Sequence, residues 1–189
     1  MTELIYYLPG WSGQLSTGLG QGLLDRGYDV TGRETRNEFA DMRFVDQVSA
    51  VKNDLTAYFW RSTARVVVNS FGGYLFLHAQ AELEPFPGKV ILFSPVVGGF
   101  NDEETGRFFS PPYQDKLLEL AVAKKFPAPL QCEVHTGSED WQSHPDAVTQ
   151  FFGLIGVDAL IAQGRGHMLG ADYVGATLDR WLASADLYV

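Results

Sequence analysis

Cysteine occurs once in the 189 residues, as Cys132, so no internal disulfide can form and stability has to come from packing. Positive charge is scarce as well, with 14 Lys and Arg against 23 Asp and Glu and a formal net charge of -9. Such a surface repels phosphate backbones and anionic headgroups, which argues against nucleic acid and membrane surfaces as partners. Long hydrophobic runs are missing: no stretch approaches the ~20 apolar residues needed to cross a bilayer. The start of the chain has no basic segment followed by an apolar one, because Glu3 comes at once and Pro9-Gly10 cuts Leu4 to Leu8 short; we expect a cytoplasmic protein. The four histidines are scattered and offer no zinc-ligand spacing, which disfavours a metallohydrolase.

What is present is an ordinary globular composition, 46% hydrophobic and 20% charged, at a length that suits one domain over residues 1–189. Short apolar runs alternate with segments of helical period, the pattern of a parallel sheet covered on both faces. The runs predict six strands: Leu4 to Leu8, Tyr28 to Thr31, Arg65 to Asn69, Lys89 to Phe93, Leu130 to Thr136 and Asp158 to Ala162. Phe44, Val48, Val51, Leu55 and Tyr58 recur at steps of three and four and predict an amphipathic helix. A second helix, from Phe71 to about Leu83, is apolar nearly all round and should be buried. Further helices are expected after Pro145, ended by Gly156, and from Ala171 to Ala183. A helix near Leu15, Leu19 and Leu23 is weakened by Gly18, Gly20 and Gly22. No internal repeat or linker is visible.

Gly98 to Lys125 breaks the alternation, with its acidic run Asp102-Glu103-Glu104, Phe108-Phe109 and Pro111-Pro112. It reads either as a solvated loop with one helix or as a small lid whose aromatic residues line a substrate entrance.

At the end of the third strand Asn69 runs into Ser70-Phe71-Gly72-Gly73 and directly into a helix. A serine in so tight a turn is strained, its hydroxyl stands above the sheet edge, and the helix N-terminus favours negative charge beside it. An isolated serine there would be an ordinary N-cap. The neighbourhood, however, resembles the nucleophile elbow of the α/β-hydrolase family. Thr136-Gly137-Ser138-Glu139-Asp140 resembles the family's acid loop, with Asp140 as the acid and Glu139 as the alternative. Gly164-Arg165-Gly166-His167-Met168 resembles its histidine loop. Leu8-Pro9-Gly10-Trp11-Ser12-Gly13 resembles the loop that supplies one oxyanion donor, with Trp11 N–H as first choice, Ser12 in reserve, and Phe71 N–H as the second donor. Val68, Asn69 and Pro9 stand where the family favours a small residue, histidine and histidine. His78, His135 and His144 lack such settings and are expected to be structural.

The resemblance implies a three-layer α/β/α fold, mostly parallel and roughly six-stranded, in a compact form. It implies a Ser70-His167-Asp140 triad that cleaves a small uncharged or modestly apolar carboxylic ester, thioester or lactone through an acyl-enzyme. Neither a metal nor an organic cofactor is required. The rivals are a non-catalytic ligand-binding or interaction protein on the same scaffold, and lyase, perhydrolase or carbon–carbon hydrolase chemistry with the same residues. Gly18-Leu19-Gly20-Gln21-Gly22 is not a dinucleotide fingerprint, because the third glycine would fall on Leu23.

Overall fold

The computed structural model describes residues 3–102 and 106–184. A six-stranded sheet runs through the centre: β1 (Leu4–Leu8), β2 (Asp29–Gly32), β3 (Arg65–Asn69), β4 (Lys89–Phe93), β7 (Gln131–Gly137) and β8 (Ala159–Ala162). Their spatial order is β2-β1-β3-β4-β7-β8, and every neighbouring pair is parallel. The predicted strands are all present, three of them displaced at an end by a residue or so. Strand β2 continues to Gly32, where a Cβ would lie 1.9 Å from the Tyr7 carbonyl oxygen, so only glycine permits the pairing.

The pleat divides each strand between two cores. Tyr6, Leu8, Val66, Val68, Val90, Leu92 and Val134 face one side, packed under α3 (Phe44–Asp54), α4 (Phe71–Gln80) and α6 (Pro145–Leu154). Ile5, Tyr7, Val67, Ile91 and Phe93 face the other, beneath α1 (Gly18–Leu24) and α7 (Ala171–Ala183). Helix α4 is buried along its whole length, as its apolar circumference predicts. A short α2 (Asn37–Asp41) precedes α3.

Helix α3 departs from the expected spacing. From Leu55 to Phe59 the chain widens into a π-helical turn, so the residue stacked after Leu55 is Phe59, 2% exposed, while Tyr58 is turned outward at 69%. The step of three from Leu55 to Tyr58 is therefore corrected to a step of four.

Gly98 to Lys125 holds more order than a loop with one helix. Phe100–Asp102 (β5) pairs antiparallel with Arg107–Phe109 (β6), and α5 spans Lys116–Val122. Strands of three residues are too short to show a period of two, which is why alternation does not reveal them. Glu103 and Glu104 of the acidic run lie outside the described residues. Among the described residues no helix is long and apolar enough to cross a membrane.

The chain leaves β1 to form β2 on one side and returns to form β3 on the other. Loops at the carboxyl ends of β1 and β3 therefore diverge, and this topological switch is where open parallel sheets leave a crevice for a ligand.

Candidate active site

Ser70 directly follows β3 with φ 51 and ψ -121, a backbone conformation that a non-glycine residue holds only under constraint. The constraint is visible on both sides. Ser70 N–H donates to the Phe93 carbonyl of β4 at 3.0 Å, and the Ser70 carbonyl accepts from Gly73 N and Tyr74 N in the first turn of α4. A Cβ on Gly72 would lie 2.1 Å from the Leu8 carbonyl oxygen, and one on Gly73 would lie 2.9 Å from Pro95 Cβ. Gly72 thus lets α4 start against the end of β1, and Gly73 lets it start against Pro95 after β4. Val68, bulkier than the family's usual residue, is fully buried in the core and fits beneath that turn. Asn69, where the family often has histidine, accepts a hydrogen bond from the Tyr7 hydroxyl at 2.9 Å.

The loop after β8 brings His167 over this turn, with its Nε2 2.8 Å from Ser70 Oγ. His167 Nδ1 lies 2.9 and 3.0 Å from the two oxygens of Asp140, which follows β7. Asp140 is buried, and its Oδ1 also accepts from Gln142 N at 2.9 Å and Ser143 N at 2.8 Å. Burial alone would raise the Asp140 pKa. The bonds from His167 and Ser143 outweigh it, so the carboxyl is held below the ordinary aspartate range. Asp140 is thus an anion aimed at the imidazole. Glu139 is exposed, and no side-chain contact joins it to His167 among the described residues.

The acid and histidine loops touch through their backbones. Glu139 N donates to the Arg165 carbonyl at 2.9 Å, and a Cβ on Gly137 would lie 2.0 Å from that same oxygen. Gly137 is therefore needed for close approach between the two loops. Gly137 is not among the glycines with positive φ, so close approach and not a left-handed turn is what calls for glycine there.

Loop Pro9–Gly13 bends against the elbow: a Cβ on Gly10 would lie 3.1 Å from Ser70 Cβ, and the Trp11 and Phe71 rings meet edge-on at 5.0 Å. Ser12 N–H is engaged by the Thr35 carbonyl at 3.0 Å, which removes the reserve oxyanion donor. Gly13 N–H is bonded to Gly10 O and to Thr35 Oγ1. Of Trp11, Ser12 and Gly13, Trp11 alone has an N–H with no acceptor among the described residues. Phe71 N–H, at the first position of α4, has no intrahelical partner either.

Thr35 is the residue that sequence reasoning misses. It is buried, its hydroxyl donates to Gly10 O and accepts from Gly13 N, and its backbone holds Ser12 and Gly13. Nothing marks it in the sequence, since it acts 22 residues from the loop it clamps. The backbone donors at Gln142 and Ser143 could have been suspected from the polar turn that follows Asp140.

The other histidines are occupied elsewhere. His135 lies between Glu133 and the Tyr173 hydroxyl, at 2.6 and 2.8 Å. His144 caps α6, its ring nitrogen accepting from Asp146 N. His78 is enclosed by Phe44 and Tyr74. Among the described residues there is no group of three or more His, Cys, Asp or Glu side chains that could hold a metal ion.

The β5–β6 hairpin reaches the site from the α4 side. Phe109 meets Phe71 at 6.4 Å, Phe100 meets Trp141 at 5.4 Å, and the Arg107 guanidinium lies 4.8 Å above the Trp141 ring. A cleft of about 690 Å³ opens beside Ser70 and His167 on the opposite side, lined from the first loop, α1 and α7 and by none of the described residues of 98–125.

An all-parallel core with a strained serine between β3 and a buried helix, and with histidine and aspartate loops converging on it, decides the fold. The chain has the α/β-hydrolase fold. Solved structures share it over nearly the whole chain. The ydeN gene product of Bacillus subtilis matches with a TM-score of 0.65 at 14% identity, covering 97% of this chain and 100% of that one. Alpha/beta hydrolase domain-containing protein 10 from mouse matches at 0.66 and 14%, covering 96% and 90%. Carboxylesterase CesB (YbfK) from Bacillus subtilis matches at 0.64 and 13%, covering 97% and 85%. No family model and no curated protein matches the sequence significantly. At such identities the likeness is one of α/β-hydrolase fold, and the chemistry has to be argued from the site.

Proposed function

We propose that the protein is a serine hydrolase of small carboxylic esters, thioesters or lactones, acting through Ser70, His167 and Asp140. The observation that carries this reading is the continuous hydrogen-bonded line Ser70 Oγ, His167 Nε2, His167 Nδ1, Asp140 at distances of 2.8 and 2.9 Å. Three side chains from three separate loops have no structural need to meet in this order at a solvent-facing rim. A carboxylesterase among the structural relatives agrees with it.

In this mechanism Asp140 keeps the imidazole proton on Nδ1, so Nε2 presents a lone pair to the serine hydroxyl. As Ser70 Oγ bonds to the substrate's carbonyl carbon, its proton passes to Nε2, and the imidazolium is stabilised by the Asp140 charge. The carbonyl oxygen becomes an anion held by the N–H groups of Trp11 and Phe71, with the N-terminal dipole of α4 in support. Collapse expels the alcohol or thiol, protonated by His167, and leaves the acyl group on Ser70. Water, deprotonated by the same nitrogen, then releases the acid and restores the serine.

Turnover of a short-chain p-nitrophenyl ester tests the reading. Ser70→Ala and His167→Ala should each lower kcat by at least about a thousandfold with folding intact. Activity within tenfold of wild type in either variant would overturn it.

A further inference from the structure

We propose that the cleft beside Ser70 receives an unbranched aliphatic acyl chain, laid between α1 and α7 and stopped by Arg26. This deepens the reading of Ser70 as nucleophile and rests on it. Both helices follow loops at the carboxyl edge of the sheet, one after Pro9–Gly13 and the other after His167, and both run away from Ser70. The space between them therefore begins at the reacting atoms and continues down the face of the sheet. Tyr7 and Phe93 floor it, and Leu19, Val174 and Leu178 give it apolar walls.

The cleft stays open because the facing helices carry no side chain where they would fill it. Gly22 of α1 and Gly175 of α7 both line it, and the nearest heavy atoms to a Cβ placed on them belong to Arg26, at 3.5 and 3.4 Å. A side chain could be accommodated at either position, so packing does not demand glycine there. Arg26 closes the far end. Its guanidinium bonds to Asp179 at 2.6 Å and to the carbonyls of Gly22 and Gly175, tying the two helices together. Along α1, from Gly18 to Leu24, the wall is about 9 Å deep at ~1.5 Å per residue. At ~1.2 Å per bond, the reach of extended backbone, that depth takes roughly seven or eight carbons.

An apolar recess that starts at Ser70 and runs along two helices favours a chain that extends down it over one branched beside the ester carbonyl. The acyl part is the better occupant, because it remains on the protein through both half-reactions while the alcohol departs after the first. A recess opening at Ser70 then serves acylation and deacylation alike.

The test is kcat/KM for p-nitrophenyl acetate, butyrate, hexanoate, octanoate and a branched pivalate, with Ser70→Ala as background. A common leaving group isolates the acyl side. The expected result is a rise with length of up to about fourfold per methylene as far as octanoate, with pivalate poor. In Gly175→Leu, and independently in Gly22→Leu, each replacing glycine by a better helix former, the octanoate-to-acetate ratio should fall at least tenfold. A flat or falling length series in wild type, or a ratio unmoved in both variants, would overturn the cleft assignment and leave the nucleophile standing. Absence of Ser70-dependent turnover with every ester would overturn both.

Discussion

Asp140→Asn changes one atom in the site, and the surrounding hydrogen bonds fix what it does. Asp140 Oδ1 accepts from two backbone donors, Gln142 N and Ser143 N, at 2.9 and 2.8 Å. An asparagine must place its carbonyl oxygen there, because an NH2 group would face two N–H donors. The NH2 then takes the Oδ2 position, 3.0 Å from His167 Nδ1. Oδ1 stays 2.9 Å from Nδ1, but the NH2 beside it is satisfied only when Nδ1 accepts, which moves the ring proton to Nε2, the nitrogen 2.8 Å from Ser70 Oγ. That nitrogen can no longer take the serine proton, and the charge that would stabilise an imidazolium is gone. For a wrong-tautomer histidine the loss is on the order of 10⁴ in kcat, or about 5 kcal/mol of barrier. The assay is p-nitrophenyl ester turnover, with thermal melting to verify folding. Glu139→Gln, altering an exposed carboxylate of similar sequence position, should stay within about twofold of wild type. Asp140→Asn within tenfold of wild type, or a collapse of activity in Glu139→Gln, would refute the reasoning.

Thr35→Val keeps the side chain's shape but removes the hydroxyl that joins Gly10 O and Gly13 N, so kcat should drop roughly tenfold, and Thr35→Ser should restore most of it. Gly137→Ala forces a Cβ to within 2.0 Å of the Arg165 carbonyl oxygen and should separate the acid and histidine loops, seen as loss of activity with a lowered Tm. Burial, with Lys116 adding to it and Glu82 opposing, depresses the pKa of His78 from 6.5 to about 4. A depressed pKa means that the unfolded chain takes up the proton first, so stability is complete above about pH 6.5 and is lost as pH falls toward 4, by about 3 kcal/mol. Denaturant titrations across that window should show the slope shrink in His78→Leu; an unchanged slope would contradict the assignment.

The sheet was legible in the sequence because each strand of a doubly covered parallel sheet is an unbroken apolar run, Val66-Val67-Val68 and Val90-Ile91-Leu92 being plain cases. Ser70, Asp140 and His167 stood out because each follows a strand in a glycine-containing segment that resembles the family's nucleophile, acid and histidine loops in the family's order. What could not be read was whatever depends on distant segments meeting. Thr35 binds a loop far earlier in the chain, Gly137 is required by a carbonyl in another loop, and Gly22 and Gly175 face each other only once α1 and α7 are packed. The π-helical turn at Leu55–Phe59 likewise alters a spacing that an α-helical period assumes.

The central claim is that the hydroxyl of Ser70 is the nucleophile, and covalent capture by a fluorophosphonate tests it most directly. Peptide mass mapping should find one phosphonyl adduct, on Ser70, formed by wild type and lost in His167→Ala at the same exposure. An unlabelled wild-type protein, or an adduct carried by any other residue, would contradict the account.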